Sequence, residues 1–447
     1  MALRLPTDPV PLLQDLIRIN TTNPPGDEGA CVAYVADLLT DLADVDVKVV
    51  GPSASRTNLV ARFPGRGEAP PLLLHGHSDV VPVTGQRWTH PPFEGSLIDG
   101  EVWGRGAIDM KGGLAMMLTA LGRLRAAGER PAGDVVFAMV ADEEDGSRAG
   151  AGYLVKNHPE LFHGVRYAIG EEGGAGIELG GVRFHPIVVA EKRACWLRLT
   201  ITGPGGHGSR LAPPDTPMAQ LGRMLMMLSG ARLPRHQTAV ADRMLAELAL
   251  GLPDSLSRSV RRMREDTARD DVPVGLPLAQ ALALDSVLRH TVNPTIVRTT
   301  EKINVLPSEI TVDLDGRILP GDFSVDDFVG ELRDLIGPQA GVELLLEGSR
   351  VYPDRIAEPE FGGLYDSMAA ILTKMDPDAR PLPMVSPAST DARLFAQLGI
   401  RCYGWLPMRL PAGSPHRTLL HTADERIPVE ALQFGAGCLT ELLRTYH

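Results

Sequence analysis

Apolar residues along this chain gather into short runs, and several runs stop abruptly at acid or histidine. "PLLL" leads into His75, Gly76, His77, Ser78 and Asp79. "VVFAMVA" leads into Asp142, Glu143, Glu144 and Asp145, and "RYAIG" into Glu171 and Glu172. Apolar runs of about four to eight residues read as strands buried on both faces. Between them lie segments of helical period, "VAYVADLLTDLA" and "MKGGLAMMLTALGRLRAAGE", the second read as an amphipathic helix. Strand and helix signals in alternation predict an α/β fold: a mostly parallel sheet covered by helices on both faces.

From about residue 188 the texture changes. "RACWLRLTITGPGG" and "KINVLPSEITVDLDGRILPG" alternate like half-buried antiparallel strands. The stretch from about 232 to 290 is Arg-rich and helical. After "GVELLLEGSRVY" the first texture resumes, with the strand "CYGWLPM" and the helix "PVEALQFGAGCLTELLRTY". The pattern predicts a sheet domain made of about 1–187 and 353–447, interrupted by an inserted α+β domain at about 188–352.

Composition narrows the function. A net charge of −12 and only 5% aromatic residues argue against nucleic acid or an anionic membrane surface as partner. No segment reaches the roughly 18 apolar residues of a membrane span. The N-terminal stretch carries Asp8 and Asp15 where a secretory signal would be apolar. Cys31, Cys195, Cys402 and Cys438 are scattered without a C-x-x-C pair, which suits a reducing cytoplasm and excludes a cysteine zinc finger.

In a parallel sheet the strand ends share one edge, where ligands bind. His75, His77, Asp79, Asp142 to Asp145, Glu171, Glu172 and, after a loop, His416 and His421 would meet there. Asp109 in "VWGRGAIDMKGG" joins them at the entry to a helix. Carboxylates brought together lose hydration and repel one another unless cations balance them. A His/Asp/Glu set without cysteine suits zinc, or cobalt or manganese, and five or more candidate ligands suit two metal ions sharing a carboxylate.

"HGHSDVVP", "GRGAIDMKGG", "ADEEDGS", "IGEEGG", "GPGGHGS", "NVLPSE", "GRILPG", "STDARLFAQLGI" and "HTADERIPV" occur in that order. The chain thereby resembles, from about Thr21 to Val429, a dinuclear metallohydrolase family. Its members include acetylornithine deacetylase, succinyl-diaminopimelate desuccinylase, aminoacylase and carboxypeptidase S. The resemblance implies that His77, Asp109, Glu144, Glu172 and His421 hold two divalent ions, zinc first, with Asp109 bridging. Glu171 stands as the alternative to Glu172, and His416 to His421. It further implies that Asp79 steadies the His77 imidazole with its carboxylate and that Glu143 is the general base. His75 falls where that family places no ligand, and the peptide bond after Asp109 is often cis there.

In the inserted domain the resemblance makes His207 an oxyanion donor reaching a partner subunit's site. It makes Asn304 and Arg317 substrate contacts, Arg317 clamping a carboxylate. The inserted domain then becomes a lid and dimerisation domain, and the protein a homodimer. The implied reaction is hydrolysis of the amide bond of an N-acyl amino acid or small peptide by a metal-activated water. A carboxypeptidase or dipeptidase, or a biosynthetic deacylase, stands beside that reading. From another class comes an amino-acid-binding protein on the same fold without catalysis. The long stretch near 232–290 departs from the smaller family members and predicts a larger lid or substrate pocket.

Overall fold

A computed structural model describes residues 5–230, 232–265, 275–337, 342–346, 361–411 and 413–447. The chain divides into two compact units. One takes Met1–Val189, Glu360–Met384 and Thr390–His447, the other Ala190–Pro359 and Val385–Ser389. The boundary expected near 352 lies outside the described residues.

The first unit is built on a nine-stranded sheet. At its centre Leu72–His77 pairs in parallel with Val135–Val140 on one side and Tyr167–Gly170 on the other, and Tyr167–Gly170 pairs in parallel with Arg401–Gly404. Asp46–Val50 and Asn58–Phe63 extend one flank antiparallel, and Val182–Glu191 the other. The central strands are buried along their whole length at Leu72–His77 and Val135–Val140, as unbroken apolar runs require when helices cover both faces. Four parallel strands in register bring their carboxyl ends to one edge. His77 closes the first, Asp142 to Glu144 follow the second, and Glu171 follows the third.

The helix Lys111–Ala126 departs from the amphipathic pattern read for it. Thirteen of its residues are buried, Lys111 among them, because it lies between the sheet and the C-terminal helix Val429–Thr445. Lys111 Nζ donates to the carbonyls of Leu16 and Ile19 at 2.9 and 2.7 Å, so a charge sits inside on satisfied bonds.

The second unit has a four-stranded antiparallel sheet in the order Thr291–Arg298, Glu309–Ile318, Arg193–Thr202, Val342–Leu346. Arg193–Thr202 and Glu309–Ile318 alternate buried and open positions, the signature of a sheet covered on one face. Leu197, Leu199, Ile201, Val312 and Leu314 pack there with Met224 and Leu228 of the helix Pro217–Gly230 and Phe328 and Leu332 of the helix Val325–Ile336. The Arg-rich stretch forms the helices Ala239–Gly251, Asp254–Glu265 and Leu278–Ser286.

Candidate metal centre

Asp109 stands between two imidazoles. Its Oδ1 lies 3.0 Å from Nε2 of His77, and its Oδ2 lies 3.0 Å from Nε2 of His421. Each imidazole faces a second carboxylate, Glu171 Oε2 at 3.4 Å for His77 and Glu144 Oε1 at 3.3 Å for His421. His77 donates from Nδ1 to the main-chain carbonyl of Asp79 at 2.9 Å. That bond places the lone pair of the neutral ring on Nε2, toward the carboxylates. A lone pair and two carboxylate oxygens cannot bond to one another; they need a proton or a cation between them. Glu144 Oε1 is buried, with His421 Nε2 at 3.3 Å as its polar neighbour. Two His–carboxylate triads sharing Asp109 therefore fit a pair of divalent ions by the chemistry of their donors. Donor atoms of His77, Asp109 and Glu144, and of His77, Glu143 and Glu171, lie within 4.8 Å of one another.

The protein's own electrostatics show the same strain. Burial pushes the Glu143 carboxyl well above its usual range, and the Glu171 carboxylate adds to the effect. Burial likewise raises Glu171, to about 8. Asp109 moves the other way: burial works against its charge, and bonding to His421 and His77 overcomes it. The Asp109 and Glu144 bonds raise His421 to about 10. A cation would do for the carboxylates what a retained proton does here.

Glu171, not Glu172, occupies the position beside His77. Glu172, with φ of 65°, is exposed. Successive side chains leaving a strand end point to opposite sides, and the first residue after Gly170 faces inward. His416 pairs through Nε2 with Glu101 at 2.6 Å and does not join the group. His75 is buried against Phe395, ring centroids 4.9 Å apart, and burial lowers it to about 3, so it is neutral. Asp109–Met110 is a cis peptide.

The Asp79 carboxylate faces the His77 ring at 3.6 Å and also accepts the main-chain N–H groups of Glu143 and Glu144, both at 3.2 Å, and Asn23 Nδ2 at 2.8 Å. It thus sets the turn carrying the two glutamates. Behind that turn, Asp142 accepts Ala149 N–H at 2.9 Å and Arg56 Nη2 at 2.5 Å, and Arg56 reaches the buried Glu28 at 3.1 Å. Glu425 does the same for the Asp109 loop. It accepts Arg105 Nη1 at 2.6 Å and the N–H groups of Gly106, Ile108 and Asp109 at 3.0, 2.8 and 3.1 Å. Arg105 also holds Gln86, whose amide donates to the main-chain carbonyl of His421 at 2.8 Å. Glu425, Arg105 and Gln86 have no role legible in the sequence, where they are charge or amide inside otherwise apolar or Gly-rich motifs: Glu425 lies 320 residues from Arg105, and His421 lies 335 from Gln86.

In the second unit, His207 and Asn304 come together. Gly206–His207 pairs with Val305–Leu306, and Gly208 N–H donates to the Asn304 carbonyl at 2.8 Å. Both side chains are exposed. Ser209 N–H donates to His207 Nδ1 at 3.2 Å, so the neutral ring carries its proton on Nε2 as an outward donor. Arg317 engages Asp315 through Nε at 2.8 Å and Nη2 at 3.1 Å, which occupies one edge of its fork. A further group, His236, His290 and Glu331, is poorly suited to a metal. Leu319 N–H donates to His290 Nδ1 at 3.0 Å, leaving a proton rather than a lone pair on the nitrogen facing Glu331.

Residues 73–445 match the model of peptidase family M20/M25/M40. The chain is 27% identical over 445 residues to aminoacylase-1 of Sus scrofa, covering 97% of this chain and 94% of that protein. It is 27% identical over 398 residues to the probable carboxypeptidase S-like 2 of Dictyostelium discoideum, covering 83% and 71%. Among solved structures, an M20 family metallo-carboxypeptidase from Sulfolobus solfataricus superposes with a TM-score of 0.67 at 18% identity, covering 97% of this chain and 98% of that one. A dinuclear metal-binding M20 peptidase of Bacillus subtilis gives 0.58 at 15% identity, covering 97% and 96%.

Proposed function

This chain belongs to peptidase family M20/M25/M40, and from that premise we propose that it hydrolyses the amide bond of an N-acyl amino acid or small peptide with two divalent metal ions. The reading is carried by Asp109, whose two oxygens face His77 on one side and His421 on the other. His77, Asp109 and Glu171 would hold one ion, and His421, Asp109 and Glu144 the other, zinc before cobalt or manganese. Such ions supply Lewis acidity toward the scissile carbonyl and lower the pKa of water.

The chain's own groups divide the remaining work. Glu143 takes a proton from the attacking water and passes it to the leaving amine. Asp79 keeps Glu143 and Glu144 apart in their tasks by holding both of their amides. His207 donates from Nε2 to the developing oxyanion, as its tautomer favours. Asn304 and Arg317 contact the substrate.

The second unit serves as lid and dimerisation domain, and His207 acts in a partner subunit's site. Support for a homodimer comes from Thr291–Arg298, an outer strand of its sheet among the described residues, whose Ile296 and Val297 are 47% and 45% exposed. An apolar open edge of that kind invites pairing. No described helix is long and apolar enough to cross a membrane. Buried thiols at Cys31, Cys195 and Cys438 accord with a cytoplasmic location.

Purified protein stripped with chelator and reloaded with zinc, cobalt or manganese should be assayed on N-acyl amino acids and dipeptides. Turnover restored by metal is expected. Absence of turnover with every metal, or turnover indifferent to chelator, refutes the proposal.

A further inference from the structure

Lys192 is 1% exposed, and among the described residues its ammonium has one partner, the neutral hydroxyl of Thr291 at 3.1 Å. A buried cation without an anion is costly, and proteins seldom keep one without use. Its main chain is clamped at both polar groups. Lys192 N–H donates to the Ser386 carbonyl at 2.9 Å, and the Ser389 hydroxyl donates to the Lys192 carbonyl at 2.7 Å. The backbone that carries the ammonium is therefore fixed, and the Thr291 hydroxyl engages the ammonium itself.

Thr291 lies directly opposite Arg317 in the antiparallel register. Opposed side chains share a face with Cβ atoms about 5 Å apart, so Arg317 neighbours the residue whose hydroxyl Lys192 engages, and its charge acts on the ammonium. The acids nearby are already engaged. Asp315 takes the Nε and Nη2 edge of Arg317. Asp285 is bonded by Arg289 at 2.8 Å, Arg235 at 3.0 Å and Arg232 at 3.3 Å. Burial first, and Arg317 second, push the Lys192 ammonium down to about 7, the mark of a cation short of an anion. Arg317 alone is an incomplete clamp, because Asp315 both occupies one edge and offsets its charge.

We propose that Lys192, the Thr291 hydroxyl and the free edge of Arg317 form one carboxylate subsite that takes a carboxylate of the substrate, with Lys192 supplying the charge that Asp315 cancels on Arg317. This rests on the hydrolase reading for the identity of the ligand. The subsite itself needs only a small carboxylate.

The test compares Lys192→Met and Lys192→Arg with the parent on an N-acyl amino acid and on the same compound with its carboxylate capped as an amide. Loss of a charged hydrogen bond should raise KM about 10- to 100-fold for the free carboxylate in Lys192→Met. kcat should stay within a few-fold, KM for the capped compound should not move, and Lys192→Arg should recover much of the loss. Unchanged KM, or equal effects on capped and uncapped compounds, overturns the subsite. Melting of the ligand-free Lys192→Met protein should be no lower than the parent's, since a stranded charge has been removed; should it fail to fold, Lys192→Gln carries the same comparison. If the parent hydrolyses nothing, calorimetry with N-acetyl amino acids on the metal-free proteins decides. Binding by the parent but not by Lys192→Met upholds the subsite while the hydrolase reading fails, and binding by both or neither overturns it.

Discussion

Replacing Glu425 with alanine should unfasten the loop that carries Asp109. Glu425 is fully buried and accepts four donors, the Arg105 guanidinium and three main-chain N–H groups. Its removal strands Arg105, itself 1% exposed, with Gln86 as its remaining hydrogen-bond acceptor. Breaking a buried pair from one side costs about 3–5 kcal/mol. Each orphaned amide adds about 1–3 kcal/mol at most, but four donors sharing one carboxylate relax together, so the sum is not additive. The expected loss is about 3–5 kcal/mol, on the order of 10 °C in melting for a domain of this size. Calorimetry should be run on chelator-treated protein, because bound metal would add its own stabilisation. Arg105→Met combined with Glu425→Leu should melt above Glu425→Ala alone, since no charge is left stranded. Isothermal titration with zinc should show the affinity of Glu425→Ala reduced at both ions, as Asp109 faces both histidines. A melting temperature within 1–2 °C of the parent, on the scale of a surface change, would refute the anchoring role, as would a double variant less stable than the single one.

Glu143→Gln should keep both ions by elemental analysis yet lose about 10²–10⁴-fold in kcat, since the proton shuttle is gone. Glu144→Gln should lower metal content instead, and the reverse pattern would mean the two roles are exchanged. His207→Ala should retain metal and dimer and lose about 10²–10³-fold in kcat. Mixing it with Glu143→Gln subunits should restore part of the activity, and demonstrated exchange without recovery would rule out action across subunits. Burial raises Glu28 from 4.5 to about 7. An acid whose folded value is raised contributes stability below pH 4.5 that is lost as pH climbs through 7. Glu28→Gln should therefore flatten that part of the stability profile in urea titrations, and an unchanged slope from pH 4.5 to 7 would contradict it.

Local sequence carried much of the fold. Uninterrupted apolar runs at 72–77 and 135–140 declared strands buried on both faces, and alternation at 193–202 and 309–318 declared strands covered on one. These periods reflect which face meets solvent, so they survive in one dimension. The amphipathic reading of Lys111–Ala126 failed because the sheet and Val429–Thr445 cover the helix on both sides, with Lys111 satisfied inside by the carbonyls of Leu16 and Ile19. A lysine looks the same in a sequence whether water or a helix end receives it.

The site divides along the same line. Residue types at strand ends pointed to one shared edge, and ordered motifs named His77, Asp109, Glu143, Glu144 and His421, which the structure brings together. Tertiary structure alone placed Glu171 beside His77 and left Glu172 exposed, because one residue of backbone direction after Gly170 separates the two. It alone brought the amides of Glu143 and Glu144 onto the Asp79 carboxylate. It alone joined Glu425 to Arg105 across 320 residues, and Lys192 to Thr291 across 99. Periodicity and motif are properties of neighbours along the chain. Burial of a charge, and the partner that makes it tolerable, are properties of neighbours in space, and only the folded chain supplies those.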